Sequence, residues 1–146
     1  MTDSVIEDLS LTLNRHIAAS PEKVYAAWLT PDTLVRFMAN CDGMRLAGAQ
    51  TDPRVGGAFR IDIDNGSSVV PHTGTYLTLQ PYSRIAFTWS SPYSTVENST
   101  VTLDLVPDGN GTHLTLTHSR FVDARHRDMH VGGWATMLDG LQRTEL

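Results

Sequence analysis

His126 and His130 stand four residues apart, the spacing that puts two imidazoles on one helix face. Such a pair could share a metal ion. However, the segment reads His-Arg-Asp-Met-His, without the glutamate after the first histidine that zinc proteases use. No metal site is assigned on this spacing. His130 also falls in phase with Trp134, so it could present a polar edge to a cavity or pack as a hydrogen-bonded histidine between helix and sheet. His118 shares a face with Leu114 and Leu116 and points at the same interior. There it could hold the polar end of a ligand, exchange protons near neutral pH, or serve as a structural histidine. Arg15 is in phase with Leu9, Leu11 and Leu13. It could grip a carboxylate with its planar fork, or pair at the rim with an acidic residue of the following helices such as Glu22. The Tyr76 hydroxyl could orient a ligand or simply find a partner in the core.

Other reactive types carry less. Cys41 is flanked by Asn40 and Asp42, and a neighbouring carboxylate raises a thiol pKa, which works against a nucleophile. Asp62 and Asp64 alternate with Ile61 and Ile63 and read as a solvated face. His72 precedes a strand and reads as a surface loop residue, and His16 and His113 fall on the outward phase. Neither a glycine-rich phosphate loop nor a serine nucleophile elbow is present. The sequence therefore assigns no catalytic residue and calls for no cofactor.

The elements that must position these groups follow from changes of hydrophobic period. Leu9 to Ile17 alternates apolar and polar residues and forms a strand. Ser20-Pro21 and Thr30-Pro31 each supply a cap followed by proline, starting two short helices, Ser20–Leu29 and Thr30–Met38. From Met44 to His118 the period is mostly two, with a hairpin signal at Asn65-Gly66 and a turn at Asp108-Gly-Asn-Gly111. This region gives a weak strand at Met44–Gln50, one through Phe59, Ile61 and Ile63, and one at Thr73–Leu79. Others run through Ile85 and Phe87, Val101 to Leu105, and Leu114 to His118, with a polar loop at Ser90–Asn98. Asp123 then caps an amphipathic helix of about 20 residues, long enough to cross a sheet. Gly132-Gly133 within it needs a packing reason, either a close approach to the sheet or room left beside it.

These elements make an α+β domain in which about seven antiparallel strands curve around the last helix and two short helices close one end. Such a sheet leaves a cavity against the helix. Phe59, Phe87, Trp89 and Trp134 are expected to line it, with Arg15, Tyr76, His118 and His130 as its polar groups.

The order of pieces resembles the activator-of-Hsp90-ATPase homologue 1-like branch of the START/Bet v 1-like (SRPBCC) superfamily. The matching segments are Arg15-His-Ile-Ala-Ala-Ser-Pro-Glu-Lys-Val-Tyr25, Trp28-Leu-Thr-Pro-Asp32, Asp52-Pro-Arg-Val-Gly-Gly57, Gly74-Thr-Tyr76 and Arg84-Ile-Ala-Phe-Thr-Trp89. They continue with Ser99-Thr-Val-Thr-Leu103, Gly111 to His118, and His130-Val-Gly-Gly-Trp134 followed by Leu138-Asp-Gly-Leu141. The resemblance spans residues 9–146 and implies a helix-grip fold, with Phe37 where such proteins often carry tryptophan. It also implies three alternative roles: a carrier of a small, largely apolar ligand, an enzyme such as a cyclase, dehydratase or hydrolase on an aromatic or polyketide-like substrate, or a regulator of an Hsp90-type chaperone ATPase. The second role rests on Arg15, Tyr76, His118 and His130.

Composition narrows the field further. The 146 residues, 40% apolar and 18% charged, suit one domain with a full core, residues 9–146 behind a loose leader at 1–8. A net charge of −5 argues against a general nucleic-acid binder. One cysteine precludes an internal disulfide. The longest clear apolar run, Val24–Leu29, is far short of a membrane span, and the acidic start lacks the basic-then-apolar order of a signal peptide. A cytoplasmic protein is expected, so the acceptor motifs at Asn65, Asn98 and Asn110 would go unglycosylated. Lys23 is the single lysine beside ten arginines, which fits a GC-rich bacterial genome. A homodimer through an edge strand remains open.

Overall fold

A computed structural model describes residues 9–38, 45–92, 99–121 and 123–146. The leader, Cys41 and Asn98 lie outside the described residues. β1 (Leu11–Ile17) is followed by α1 (Pro21–Leu29) and α2 (Pro31–Met38). Six strands come next: β2 (Arg45–Thr51), β3 (Ala58–Asp64), β4 (Val69–Gln80), β5 (Arg84–Thr88), β6 (Thr100–Asp108) and β7 (Gly111–Ser119). α3 (Ala124–Arg143) ends the fold. The strands form one antiparallel sheet in the order β1-β7-β6-β5-β4-β3-β2.

Local chemistry sets the boundaries. The Ser20 hydroxyl accepts from the Lys23 amide at 3.3 Å and opens α1. Thr30 does not repeat this for α2; its hydroxyl donates back to the Ala26 carbonyl at the end of α1. The Asp123 carboxylate accepts from the His126 amide at 2.9 Å and opens α3. Between β3 and β4, Asn65 Oδ1 accepts from the Ser67 and Ser68 amides, and Gly66 takes φ = 91°, a region closed to most side chains.

The inward phases of the strands and the apolar face of α3 bury one continuous core. Phe37 is fully buried, with its ring edge-on to Trp28 at 4.9 Å. α2 and α3 approach closely because residue 140 is glycine. A Cβ there would sit 2.3 Å from the Phe37 carbonyl oxygen, which is backbone and cannot swing away. Gly140→Ala is therefore expected to cost about 1–3 kcal/mol despite the better helix propensity of alanine, a loss that urea unfolding would register.

One strand differs from expectation. β4 begins at Val69 rather than Thr73, so His72 is a strand residue and not part of a surface loop. Its pairing with Ile61 of β3 puts it in the inward phase with Val70, Gly74 and Tyr76. Pro71 obscures the pattern, since proline is excluded from most central strands. It is tolerated here because β4 pairs continuously with β5 only from Tyr76 onward.

Candidate functional site

The space between sheet and helix has two parts. The deep part is bounded by Trp28, Leu34, Met38, Phe59, Ile61, Tyr76, Phe87 and Trp89, and only about 10 Å³ remains between them. The rings fill it by edge and tilted contacts: Phe59 meets Phe87 at 5.2 Å and 84°, and Tyr76 at 5.4 Å. Phe59, Tyr76 and Phe87, expected to line a cavity, thus line a nearly solid core. Leu34 and Met38 of α2 plug the rest.

The shallow part is open. A cavity of about 280 Å³ lies where β3 and β4 meet the middle of α3. Ile63, Val70, His72 and Trp89 form the sheet side; Met129, His130, Gly133, Trp134 and Met137 form the helix side. Asn65 and Ser91 complete the lining, in which there is no Asp, Glu, Lys or Arg among the described residues. The helix residues recur at three and four, the repeat of one helix face. Gly133 is what keeps the space open. Nothing lies within 4 Å of a Cβ built on it, or on Gly132, so the glycine pair leaves room rather than permitting a close approach.

Another concavity is larger, about 590 Å³, and lies on the outer face of the sheet. Outward residues such as Arg60, Thr73 and Thr75 line it together with Asp52. It is an open groove with a more polar lining than the first cavity, and no histidine lines it among the described residues. The more apolar lining of the smaller cavity matches the usual character of small-molecule sites better than this larger groove does.

Four of the eight side chains that the sequence nominated fall at the cavity or immediately behind it: Trp89, His118, His130 and Trp134. His118 is buried behind Trp134, whose indole N–H donates to its Nδ1 at 3.0 Å. Indole nitrogen only donates, so Nδ1 must be unprotonated and Nε2 must carry the hydrogen. That hydrogen points to Ser99 Oγ at 3.2 Å, and the Ser99 hydroxyl in turn donates to the Trp89 carbonyl. Burial, reinforced by nearby His130, pulls His118 down to about 3. His118 is thus a neutral clamp joining α3, β7 and the start of β6, with both nitrogens committed.

His130 lies against Phe121 and, edge to face, against His118, at 5.0 and 5.3 Å. Its Nδ1 faces the His126 carbonyl at 2.8 Å. His126 turns its own Nδ1 to Asp123, at 2.8 Å. Arg15 lies elsewhere: it pairs with Asp139 of α3 at 3.4 Å, not with Glu22, and takes no part in the cavity lining. Burial, with Asp52 adding, pushes the Tyr76 phenol up to about 12, so it stays protonated inside the core. Of the four groups an enzyme reading rested on, only His130 lines the cavity.

The sequence reading missed His72, whose ring lies 5.1 Å from that of Trp89. The signal was there: counting back by twos from Tyr76 reaches Gly74, His72 and Val70. It also missed Ser99 and Phe121, whose roles depend on contacts between distant segments.

Comparison with known proteins agrees with this architecture. A protein of Chromobacterium violaceum of known structure is 27% identical, with a TM-score of 0.78 over 91% of this chain and 94% of that one. An AHSA1-like protein of Aeromonas hydrophila is 24% identical, with a TM-score of 0.78 over 92% and 90%. A protein of Rhizobium loti is 26% identical, with a TM-score of 0.73 over 91% and 94%. No functionally curated protein matches the chain. No helix among the described residues is long and apolar enough to cross a membrane. The model of the family described as activator of Hsp90 ATPase homolog 1-like protein matches residues 18–144, and the chain belongs to that family.

Proposed function

We propose that the protein binds a small, largely apolar molecule in the cavity between α3 and the β3–β4 end of the sheet. The observation that carries this reading is the lining itself: indole, thioether and aliphatic groups with a few neutral polar ones, and no charged side chain among the described residues. Its volume of about 280 Å³ lies just below the ~300–1,000 Å³ span of small-molecule sites, so the ligand is small. A cavity kept open by glycine within a helix also runs against stability, since each glycine costs up to ~1 kcal/mol relative to alanine. Membership of a family built on a helix-grip sheet supports the same reading.

Native mass spectrometry of freshly purified protein should reveal a co-purified small molecule. Neutral aromatic fragments, titrated by NMR, should shift the indole N–H signals of Trp89 and Trp134 and leave that of Trp28 unmoved, because Trp28 borders only the filled core. Shifts confined to Thr73 and Thr75 in the outer groove, or none anywhere at saturating fragment, would count against the cavity.

A further inference from the structure

We propose that the cavity selects neutral aromatic molecules that carry an O–H or N–H donor, received by the Nε2 atoms of His72 and His130. This deepens the ligand-binding reading above and rests on it. The argument begins with the two carbonyls. His130 Nδ1 lies 2.8 Å from the His126 carbonyl oxygen, and His72 Nδ1 lies 3.1 Å from that of Val70. A carbonyl oxygen only accepts, so each Nδ1 carries the ring hydrogen. In the neutral imidazole the far nitrogen, Nε2, is then a bare acceptor. Each ring turns its Nδ1 edge back to its own element, the Ile61 carbonyl of β3 is a second backbone acceptor beside His72, and both residues line the cavity.

His118, one layer deeper, is locked the opposite way by Trp134 and has no capacity left. Two acceptors of fixed tautomer thus meet in one small apolar space. Burial holds His72 below its ordinary imidazole value, which favours the neutral, accepting form. A ligand that only accepts would leave both acceptors unpaired, and a buried unpaired acceptor is costly.

The rest of the lining fixes the other properties. Without Arg or Lys there, a carboxylate would enter with its charge uncompensated. The rings of Trp89 and Trp134 lie 4.9 Å apart, and Met129 and Met137 bring polarizable sulfur to the same cavity. Both features favour an aromatic body over a flexible chain. Asn65 offers little competition as an acceptor, because its Oδ1 already takes the Ser67 and Ser68 amides.

The test uses the intact protein at neutral pH and three probes of one shape: 2-naphthol, 2-methoxynaphthalene and 2-naphthoate. Tryptophan fluorescence and NMR titration read the affinities. The naphthol should bind at least ~10-fold tighter than the methyl ether, and the carboxylate should bind weakest. His130→Phe should bring naphthol and ether to within about twofold, and His72→Phe should narrow the gap in the same direction. Nitrogen-15 shifts of the wild-type histidines give a second readout that needs no variant: protonated Nδ1 and bare Nε2 at residues 72 and 130, the reverse at 118. Equal affinity for naphthol and ether, or Nε2–H tautomers at both cavity histidines, overturns the donor selection and leaves the cavity reading standing. Failure of naphthol and ether alike to bind overturns the cavity reading and this inference with it.

Discussion

Lowering the pH from 7 to 5 is expected to remove about 2 kcal/mol of folding stability through His118 alone. The group is 1% exposed, and burial, followed by the influence of His130, sets its pKa at about 3, against an ordinary value of 6.5. Between these values the unfolded chain binds a proton that the folded chain refuses. Stability is therefore complete above pH 6.5 and declines as pH falls toward 3, at up to ~1.4 kcal/mol per unit. The hydrogen bonds give the reason in atoms. Protonating Nδ1 would set its new hydrogen against the Trp134 indole N–H 3.0 Å away. His72, also shifted down by burial, acts in the same direction. Asp64 and Asp123 are held below their ordinary values by backbone amides first, so their contributions fade only at lower pH.

Urea unfolding across pH 7 to 5 measures the slope, and His118→Gln isolates it. The variant should be less stable at pH 7, because its amide cannot reproduce both contacts of the ring, yet should show a distinctly flatter pH profile. An identical slope in variant and wild type would remove His118 as the source. His118→Leu should be worse at pH 7 by a further ~1–3 kcal/mol, since it strands the Trp134 indole N–H.

What the sequence disclosed follows the range over which each cause acts. Caps and turns are local, so Ser20, Asp123 and Asn65-Gly66 mark their elements within a residue or so. Strict alternation exposes the inward phases of β3, β6 and β7. These suffice for the helix-grip architecture, since a curved antiparallel sheet with one apolar face needs a covering helix. The candidate site was half legible. His118, His130, Trp89 and Trp134 come from parity, and parity works wherever a strand or helix is regular. Parity gives direction but not depth, and this is where Phe59, Tyr76 and Phe87 were misplaced: they point inward, but into space that α2 fills. Arg15 points inward by phase yet reaches the rim, where its stem lets the guanidinium meet Asp139. His72 was hidden by Pro71, a residue whose meaning depends on whether the strand has one neighbour or two. The tautomer of His118 depends on Trp134 and Ser99, sixteen and nineteen residues away in sequence, and only the assembled fold supplies them.

Gly133→Leu is expected to abolish binding of cavity ligands, at least ~100-fold, while leaving the fold as stable as wild type or more so. Two facts combine here. A Cβ at 133 meets nothing within 4 Å, so the substitution starts in open space, and replacing a helical glycine adds up to ~1 kcal/mol. The new side chain also leans toward the preceding turn of α3, over Met129 and His130, which is the direction of the cavity. Gly132→Leu is the control. It has the same open surroundings and the same gain in helix propensity, but residue 132 does not line the cavity. Gly133→Ala should fall between them, stabilising the helix while leaving much of the space. Urea unfolding and 2-naphthol titration on the three variants separate the effects. Stability should rise in all three, whereas affinity should fall steeply only in Gly133→Leu. Parallel loss of binding in Gly132→Leu would mean that the glycines act through helix flexibility and not through the volume they leave open. Retained binding in Gly133→Leu would place the ligand elsewhere, and the outer groove around Thr73 and Thr75 would then be the next surface to map.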